Sequence, residues 1–263
     1  MGVISSHEWG TLSISEVVLV VPCYNEAKRW DKSHWHEMTS IPQTSWIFVN
    51  DGSTDETQKT LTEIAKNPNS EVVELPINGG KAEAVRQGLL RALQTKDQTQ
   101  PPRWVGFIDA DTSFSPKEIP RFLQIAASLE KTEPAVEAIW AARVALLGRD
   151  IQRTAYRHYV GRILATLMNS AVPQLPYDSQ AGFKLFKHDS NLIQVLNKPF
   201  KTRWLFDVEL LQRWQATTGS TMTIWEEPLN YWHHTEGSHV SAANSLQVLK
   251  EIAFLYGQRP RKG

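Results

Sequence analysis

The chain has 263 residues, 41% of them hydrophobic, which is enough to build a full core in one large α/β domain. Lys plus Arg equals Asp plus Glu at 28 each, so no global field draws the molecule to nucleic acid or anionic lipid, and any basic function has to be local. The single cysteine, Cys23, excludes an internal disulfide and fits a reducing compartment.

The opening MGVISSHEWG has no basic segment followed by an apolar run. No apolar stretch approaches the ~20 residues of a spanning helix, so a cytoplasmic protein without signal peptide or membrane span is expected. Val17–Val21 reads as a first strand, stopped by Pro22. Strands at Trp46–Val49, Val72–Leu75 and Trp104–Ile108 follow, with helices near 57–66 and 81–95 between them, the alternation of a parallel-sheet α/β fold. Ala82, Val85, Leu89, Ala92 and Leu93 lie on one face of the second helix at helical spacing and are predicted core. Residues 98–103, with Pro101-Pro102, read as a connecting loop. Further on, 138–143 reads as a strand, 151–169 as a helix, 182–186 as a strand, 206–216 as a helix, 221–232 as strands and 242–256 as a final helix.

Each early strand runs into a polar loop, and ligands of open α/β sheets bind beyond the carboxyl ends of strands. Asp109-Ala110-Asp111 sets two carboxylates one residue apart just after a hydrophobic strand. They could hold Mg²⁺ or Mn²⁺ between protein and diphosphate oxygens, or merely form a helix-capping turn. In Asn50–Asp55, Gly52 supplies an unusual dihedral for a turn, and Asp51 could accept from a nucleobase imide. Asn78-Gly79-Gly80-Lys81 opens a helix, where glycines admit a ligand to the backbone and Lys81 can meet phosphate.

In this order, Val21–Glu26, Asn50–Asp55, Gly80–Gly88 and Asp109–Asp111 resemble the inverting family-two glycosyltransferases. That resemblance implies an α/β GT-A fold, a Rossmann-like nucleotide-diphospho-sugar transferase with a mixed sheet flanked by helices. Asp178–Phe186, Arg203–Leu211 and Glu236-Gly237-Ser238 are similar to the dolichyl-phosphate β-glucosyltransferases and their microbial relatives, and the likeness runs from about Val17 to Val240. It implies one domain over 1–263: a nucleotide-binding half at 1–115, an acceptor half at 116–241, and a helix with a basic tail at 242–263. It also implies that Pro22, Tyr24, Glu26, Asp51, Lys81 and Ala110 line the nucleotide site and that Asp109 and Asp111 hold the metal. Gln180, Gly182 and Phe183, with Ser238 and His239, fall on the sugar and acceptor side, and Arg143 stands where the family has an arginine after a strand. The chain departs from the family pattern at Asn50, usually aspartate, and at His239, usually lysine.

The implied donor is UDP-glucose, and the implied reaction is one displacement that inverts the anomeric carbon. The acceptor is either a polyprenyl phosphate, already ionised near neutrality, or a hydroxyl of a small molecule, polysaccharide or macromolecule, DNA included, which needs a base. Asp207 and Glu209 are the candidate bases, or else cap the helix they open. Arg153 and Arg157, one turn apart among Arg149 to Arg162, are candidates for an acceptor phosphate, with a solvated helix face as the alternative. Tyr156, Val160, Ile163, Leu164 and Leu167 form an apolar stripe on that helix, for core or bilayer surface, and peripheral membrane contact is expected. Trp204 and Trp232 are candidates to stack on a sugar or base. His233, His234 and His239 read as loop histidines or as further ligands. A noncatalytic sugar-nucleotide binder is disfavoured by the presence of both Asp109 and Asp111, and no stable nucleic-acid partner is predicted.

Overall fold

The computed structural model describes residues 17–94, 101–152, 175–233 and 242–258. Its elements in chain order are β1 (Val17–Cys23), α1 (Lys32–Thr39), β2 (Thr44–Asp51), α2 (Thr57–Ile64), β3 (Ser70–Leu75), α3 (Lys81–Leu93), β4 (Trp104–Ile108), α4 (Glu118–Thr132) and β5 (Ala138–Ala142). There follow β6 (Asp150–Gln152), β7 (Phe183–Lys187), α5 (Ser190–Leu196), α6 (Phe206–Thr218), β8 (Ile224–Pro228), β9 (Tyr231–His233) and α7 (Ala242–Gly257).

Seven strands make one sheet in the order β3-β2-β1-β4-β7-β5-β8, and β6 pairs with β9 in a separate parallel ribbon. Within the large sheet β7 alone runs against its neighbours, antiparallel to both β4 and β5. The central strands β1, β2, β4, β5 and β7 are buried on both faces, as a sheet covered by helices on each side requires. Alternate residues divide between two layers. Val18, Val20, Ile47, Val49 and Phe107 pack toward α3, α5, α6 and α7, and Val17, Leu19, Trp46 and Phe48 pack toward α1, α2 and α4.

All five α3 residues predicted as core are buried. Pro22 does not stop β1: pairing with β4 ends at Val20 opposite Phe107, so Pro22 pairs only with β2, opposite Val49, where its missing N–H breaks no two-sided ladder. Three helices were not anticipated. The short, polar α1 rests on an Asp31 cap that accepts from the Ser33 and His34 amides at 2.9 and 3.0 Å. Pro120 disguises α4 but falls in its first turn, where it breaks no helical hydrogen bond, and Ile119, Phe122, Ala126 and Leu129 recur at helical spacing. The seven-residue α5 starts on Asp189, which accepts from the Asn191 amide. Of the helix expected over 151–169, residues 151 and 152 belong to β6, and the remainder, with Arg153 and Arg157, lies outside the described residues, as do Ser238 and His239 and the basic tail at 259–263.

The C-terminal helix is tied to the rest of the molecule by one buried carboxylate. Glu251 of α7 accepts from the backbone amides of Arg203, Trp204 and Leu205 at 2.9–3.0 Å, just ahead of α6, whose own N-cap residue supplies no side-chain bond. A carboxylate on successive amides at a helix start is favoured by both hydrogen bonding and the helix dipole. Glu251→Gln is expected to cost about 1–3 kcal/mol, read as a lowered urea midpoint.

Candidate active site

A cleft of about 530 Å³ opens where the carboxyl ends of β1, β2, β4 and β5 meet the amino end of the reversed β7. β1 delivers Pro22, Cys23 and Tyr24 to its wall, β2 delivers Asp51, β4 leads into Asp109, Ala110 and Asp111, and β5 into Arg143. Because β7 is antiparallel, the segment entering it, with Gln180 and Gly182, arrives at the same end of the sheet.

The loops after β1 and β2 are cross-braced. Asn25 accepts from the Thr54 amide at 2.9 Å, the Glu26 and Ala27 amides donate to Thr57 Oγ1 at 2.7 and 3.1 Å, and Ala27 also reaches Asp55 at 3.2 Å. Glu26 forms a two-pronged ion pair with Arg29, and both line the cleft. Gly52 has φ +63°, as its turn requires. Asn50 lies outside the lining: its side chain accepts from the Ser53 amide and donates to Gln58, so the departure from aspartate there falls behind the wall. Asp51 accepts from the amides of Gly79 and Gly80 at 2.8 and 2.7 Å, which fixes the start of α3 against β2.

Lys81, the first residue of α3, reaches across to Asp109, Nζ to Oδ1 at 2.5 Å. Burial works against the Lys81 ammonium, but Asp109, Asp207 and Asp111 outweigh it and hold its pKa above the ordinary lysine value. Asp111 accepts from Ser113 Oγ at 2.6 Å, and the Asp109 amide donates to the Gly182 carbonyl at 2.9 Å. A Cβ on Gly182 would stand 2.1 Å from Asp109 Oδ2, so only glycine leaves that carboxylate its place. Gly182→Ala is expected to lower turnover at least about tenfold through displacement of Asp109, with the circular dichroism spectrum unchanged.

Asp109 and Asp111 offer hard oxygen ligands to the cleft, with Asp109 Oδ1 buried against the Lys81 ammonium. That donor set fits Mg²⁺ or Mn²⁺. Among the described residues no group of three His, Cys, Asp or Glu could hold an ion, so a metal held by this pair would need further ligands, such as diphosphate oxygens.

At the end of β5 Arg143 makes a bidentate pair with Asp178, both contacts at 2.7 Å, and lies over Trp232 at 5.2 Å. Burial opposes its charge, but Asp178 beside it, then Asp109 and Asp111, hold the guanidinium above its ordinary value. Trp204 and Trp232 both line the cleft. Arg203, in a matched motif but not singled out, lines it as well, donating to Asn78 at 2.9 Å across the start of α3.

The two candidate bases separate. Asp207 is buried yet borders the cleft, with Oδ1 held by Lys184 at 2.7 Å. Burial pushes its carboxyl up, against Lys184 and Lys81. Glu209 is corrected: it does not line the cleft, and its carboxylate is taken by the amides of Lys201 and Thr202, the Thr202 hydroxyl and Arg213. It faces the preceding loop because it lies two residues further round the helix than Asp207. Phe183 is corrected likewise. Its ring is fully buried against Phe114 and Phe122 in the core layer beside α4 and does not line the cleft. His233 is neither a loop histidine nor part of the cleft: it belongs to β9 and bridges Asp150 at 2.8 Å and the Tyr231 hydroxyl at 2.9 Å, while His234 lies outside the described residues.

Lys184 was missed. It is 1% exposed, donates to the carbonyls of Ser179 and Ala181 at 2.9 Å each, and lies over the rings of Trp140 and Phe107 at 4.5 and 5.2 Å. The sign was present in the alternation Phe183-Lys184-Leu185-Phe186, which puts a lysine at an inward position of a strand buried on both faces.

An open sheet whose strand ends gather two aspartates, a lysine-led helix start and an arginine wall defines a nucleotide-sugar transferase type of site. Comparison with known proteins agrees. The profile of glycosyl transferase family 2 matches residues 18–139. A dolichyl-phosphate beta-glucosyltransferase of Trichomonas vaginalis is 30% identical over 260 residues, covering 93% of this chain and 73% of its own length. The Saccharomyces cerevisiae dolichyl-phosphate beta-glucosyltransferase is 25% identical over 256 residues, covering 90% and 73%. Among solved structures, glucosyl-3-phosphoglycerate synthase of Mycobacterium tuberculosis, with Mn²⁺ and UDP, superposes with a TM-score of 0.60 at 18% identity, covering 94% of this chain and 81% of that one. A mannosyltransferase of Pyrobaculum calidifontis with GDP-Man and Mn²⁺ gives 0.60 at 17%, covering 95% and 66%. The chain belongs to glycosyl transferase family 2, has the GT-A fold and is a glycosyltransferase.

Proposed function

We propose that this chain is a metal-dependent inverting transferase that moves glucose from UDP-glucose to a polyprenyl phosphate of the dolichyl type. The observation that carries the reading is the cleft itself: the Asp109–Asp111 pair faces the Arg143 wall across one opening, in a chain matched over nine-tenths of its length by dolichyl-phosphate beta-glucosyltransferases. Pro22, Tyr24, Glu26, Asp51, Lys81 and Ala110 take the nucleotide in the 1–115 half, and residues 116–241 take the acceptor. Asp109 and Asp111 would hold Mg²⁺ or Mn²⁺, which when bound stabilises negative charge on the departing diphosphate. An acceptor phosphate oxygen attacks the anomeric carbon as the bond from that carbon to the diphosphate oxygen breaks, and the electron pair leaves with UDP. The attacking oxygen is ionised already, so no protein base is required. Arg143, Gln180 and Trp204 orient the acceptor and sugar.

Asp207 favours a second reading, a hydroxyl acceptor. It borders the cleft, and burial holds its carboxyl above the usual carboxylate range, the direction a general base needs. Labelled UDP-glucose, supplied with Mn²⁺ or EDTA to a short polyprenyl phosphate or to no lipid, separates the two. Metal-dependent labelling of the lipid is the expected result, and donor turnover without lipid labelling would transfer the assignment to a hydroxyl acceptor and to Asp207.

A further inference from the structure

Of the cations that line the cleft, Arg29 is paired with Glu26, Lys81 with Asp109 and Arg143 with Asp178. The remaining one, Arg203, has no carboxylate partner among the described residues. Its guanidinium makes a single hydrogen bond among them, from Nη2 to Asn78 Oδ1 at 2.9 Å, and that partner is a neutral amide.

The side chain is nevertheless held at both ends. The Arg203 amide, with those of Trp204 and Leu205, donates to the buried carboxylate of Glu251, which fixes the backbone from which the side chain projects. At its far end the guanidinium rests on Gly80, where a Cβ would stand 2.6 Å from Arg203 Nε. Gly80 has φ +87° and gives its amide to Asp51, so the residue that completes this turn also leaves the room the guanidinium occupies. Arg203 therefore reaches from just ahead of α6 to the residue before Lys81, on the wall built by the loops after β2 and β3.

An arginine loose in solvent needs no explanation. This one is anchored through a buried carboxylate, seated on a glycine and set in a cleft whose other cations are already offset. To meet an incoming phosphate, Arg29, Lys81 and Arg143 would each have to loosen a carboxylate, whereas Arg203 gives up at most an amide oxygen. Its other N–H groups form the planar fork that suits phosphate oxygens.

We infer that Arg203 binds a phosphate oxygen of the donor's nucleoside diphosphate, placed there by Glu251 of the C-terminal helix. This rests on the UDP-sugar donor proposed above.

The test is calorimetry of UDP binding to the full chain and to Arg203→Gln with Mn²⁺ present, with uridine measured by competition against UDP. The variant is expected to bind UDP about tenfold or more weakly and uridine as the wild type does, with its urea midpoint unchanged. Arg203→Lys, which keeps the charge without the fork, should recover part of the UDP affinity. In transfer assays the donor KM should rise in Arg203→Gln and the KM for a phosphate acceptor should not. Unchanged UDP affinity overturns the inference, and a raised acceptor KM in that case would assign the cation to the acceptor phosphate instead. Equal losses for uridine and UDP overturn it too, reducing Arg203 to a brace for the Asn78–Gly80 loop. A wild type that binds no UDP would reject the donor reading itself.

Discussion

Lys184→Met is expected to destabilise the fold by about 3–5 kcal/mol, because it leaves the Asp207 carboxylate buried without its cation. The ammonium also satisfies two carbonyls, of Ser179 and Ala181, in the segment that leads into β7. Loss of the lysine therefore loosens the strand entry that carries Gln180 and Gly182 to the cleft. Burial pushes Asp207 up and Lys184 down, and each opposes that push on the other, with Lys81 also acting on Asp207 and Asp178 on Lys184. Lys184→Met/Asp207→Asn should recover most of the loss, since a buried pair replaced by neutral groups is often close to neutral in stability. Denaturant midpoints of the wild type, the single and the double variant form the cycle. The same double variant, assayed for transfer, tests the base: a folded protein that still labels a phosphate acceptor shows that Asp207 is not required as one.

Asp109→Asn and Asp111→Asn are each expected to lower turnover about a hundredfold or more, since a bound divalent ion contributes several kcal/mol to a departing diphosphate. The two should differ in stability. Asp109→Asn removes the charge paired with Lys81 at the site where Gly182 leaves no spare room, whereas Asp111→Asn alters a carboxylate bonded to Ser113. Calorimetry of UDP binding with and without Mn²⁺ provides a readout other than turnover: the metal-dependent gain in affinity should vanish in both variants. EDTA should abolish wild-type transfer and leave the residual rate of the variants unchanged. Full turnover by Asp111→Asn would remove the metal assignment.

Much of the fold was legible because its core strands announce themselves. Val17–Val21 and Trp104–Ile108 are apolar runs buried on both faces, and α3 carries its inward stripe at helical spacing. The elements that escaped notice lack such a pattern or mask it. In α1 the apolar face is Trp35 and Met38 alone, and in α4 Pro120 reads as a breaker although the first turn tolerates it. The donor side of the cleft follows from short loops at strand ends, so motif order sufficed to bring Asp51, Lys81, Asp109 and Asp111 together. The part of the cleft built by residues after 140 depends on directions that sequence spacing does not give. Asp207 and Glu209 are two residues apart on α6 and equally acidic, yet one turns to the cleft and the other into a knot of backbone amides. Phe183 adjoins Gly182 in the motif, but strand alternation sends its ring to the opposite layer. Glu251, far along the chain, holds the Arg203–Leu205 backbone, a link visible only once the last helix is docked.

The reversal of β7 has a consequence for the order in which the protein is made. β1, β2, β3 and β4 pair among themselves and are complete early in synthesis, but the far side of β4 waits for residues 183–187. Until then the Asp109 amide lacks its bond to Gly182, and both aspartates stand at an open sheet edge. Pairing so distant in sequence closes slowly. Until residues 183–187 are made, the β4 edge that leads into Asp109 and Asp111 stays unpaired, so this corner of the cleft is finished late although the loops after β1 and β2 are made early.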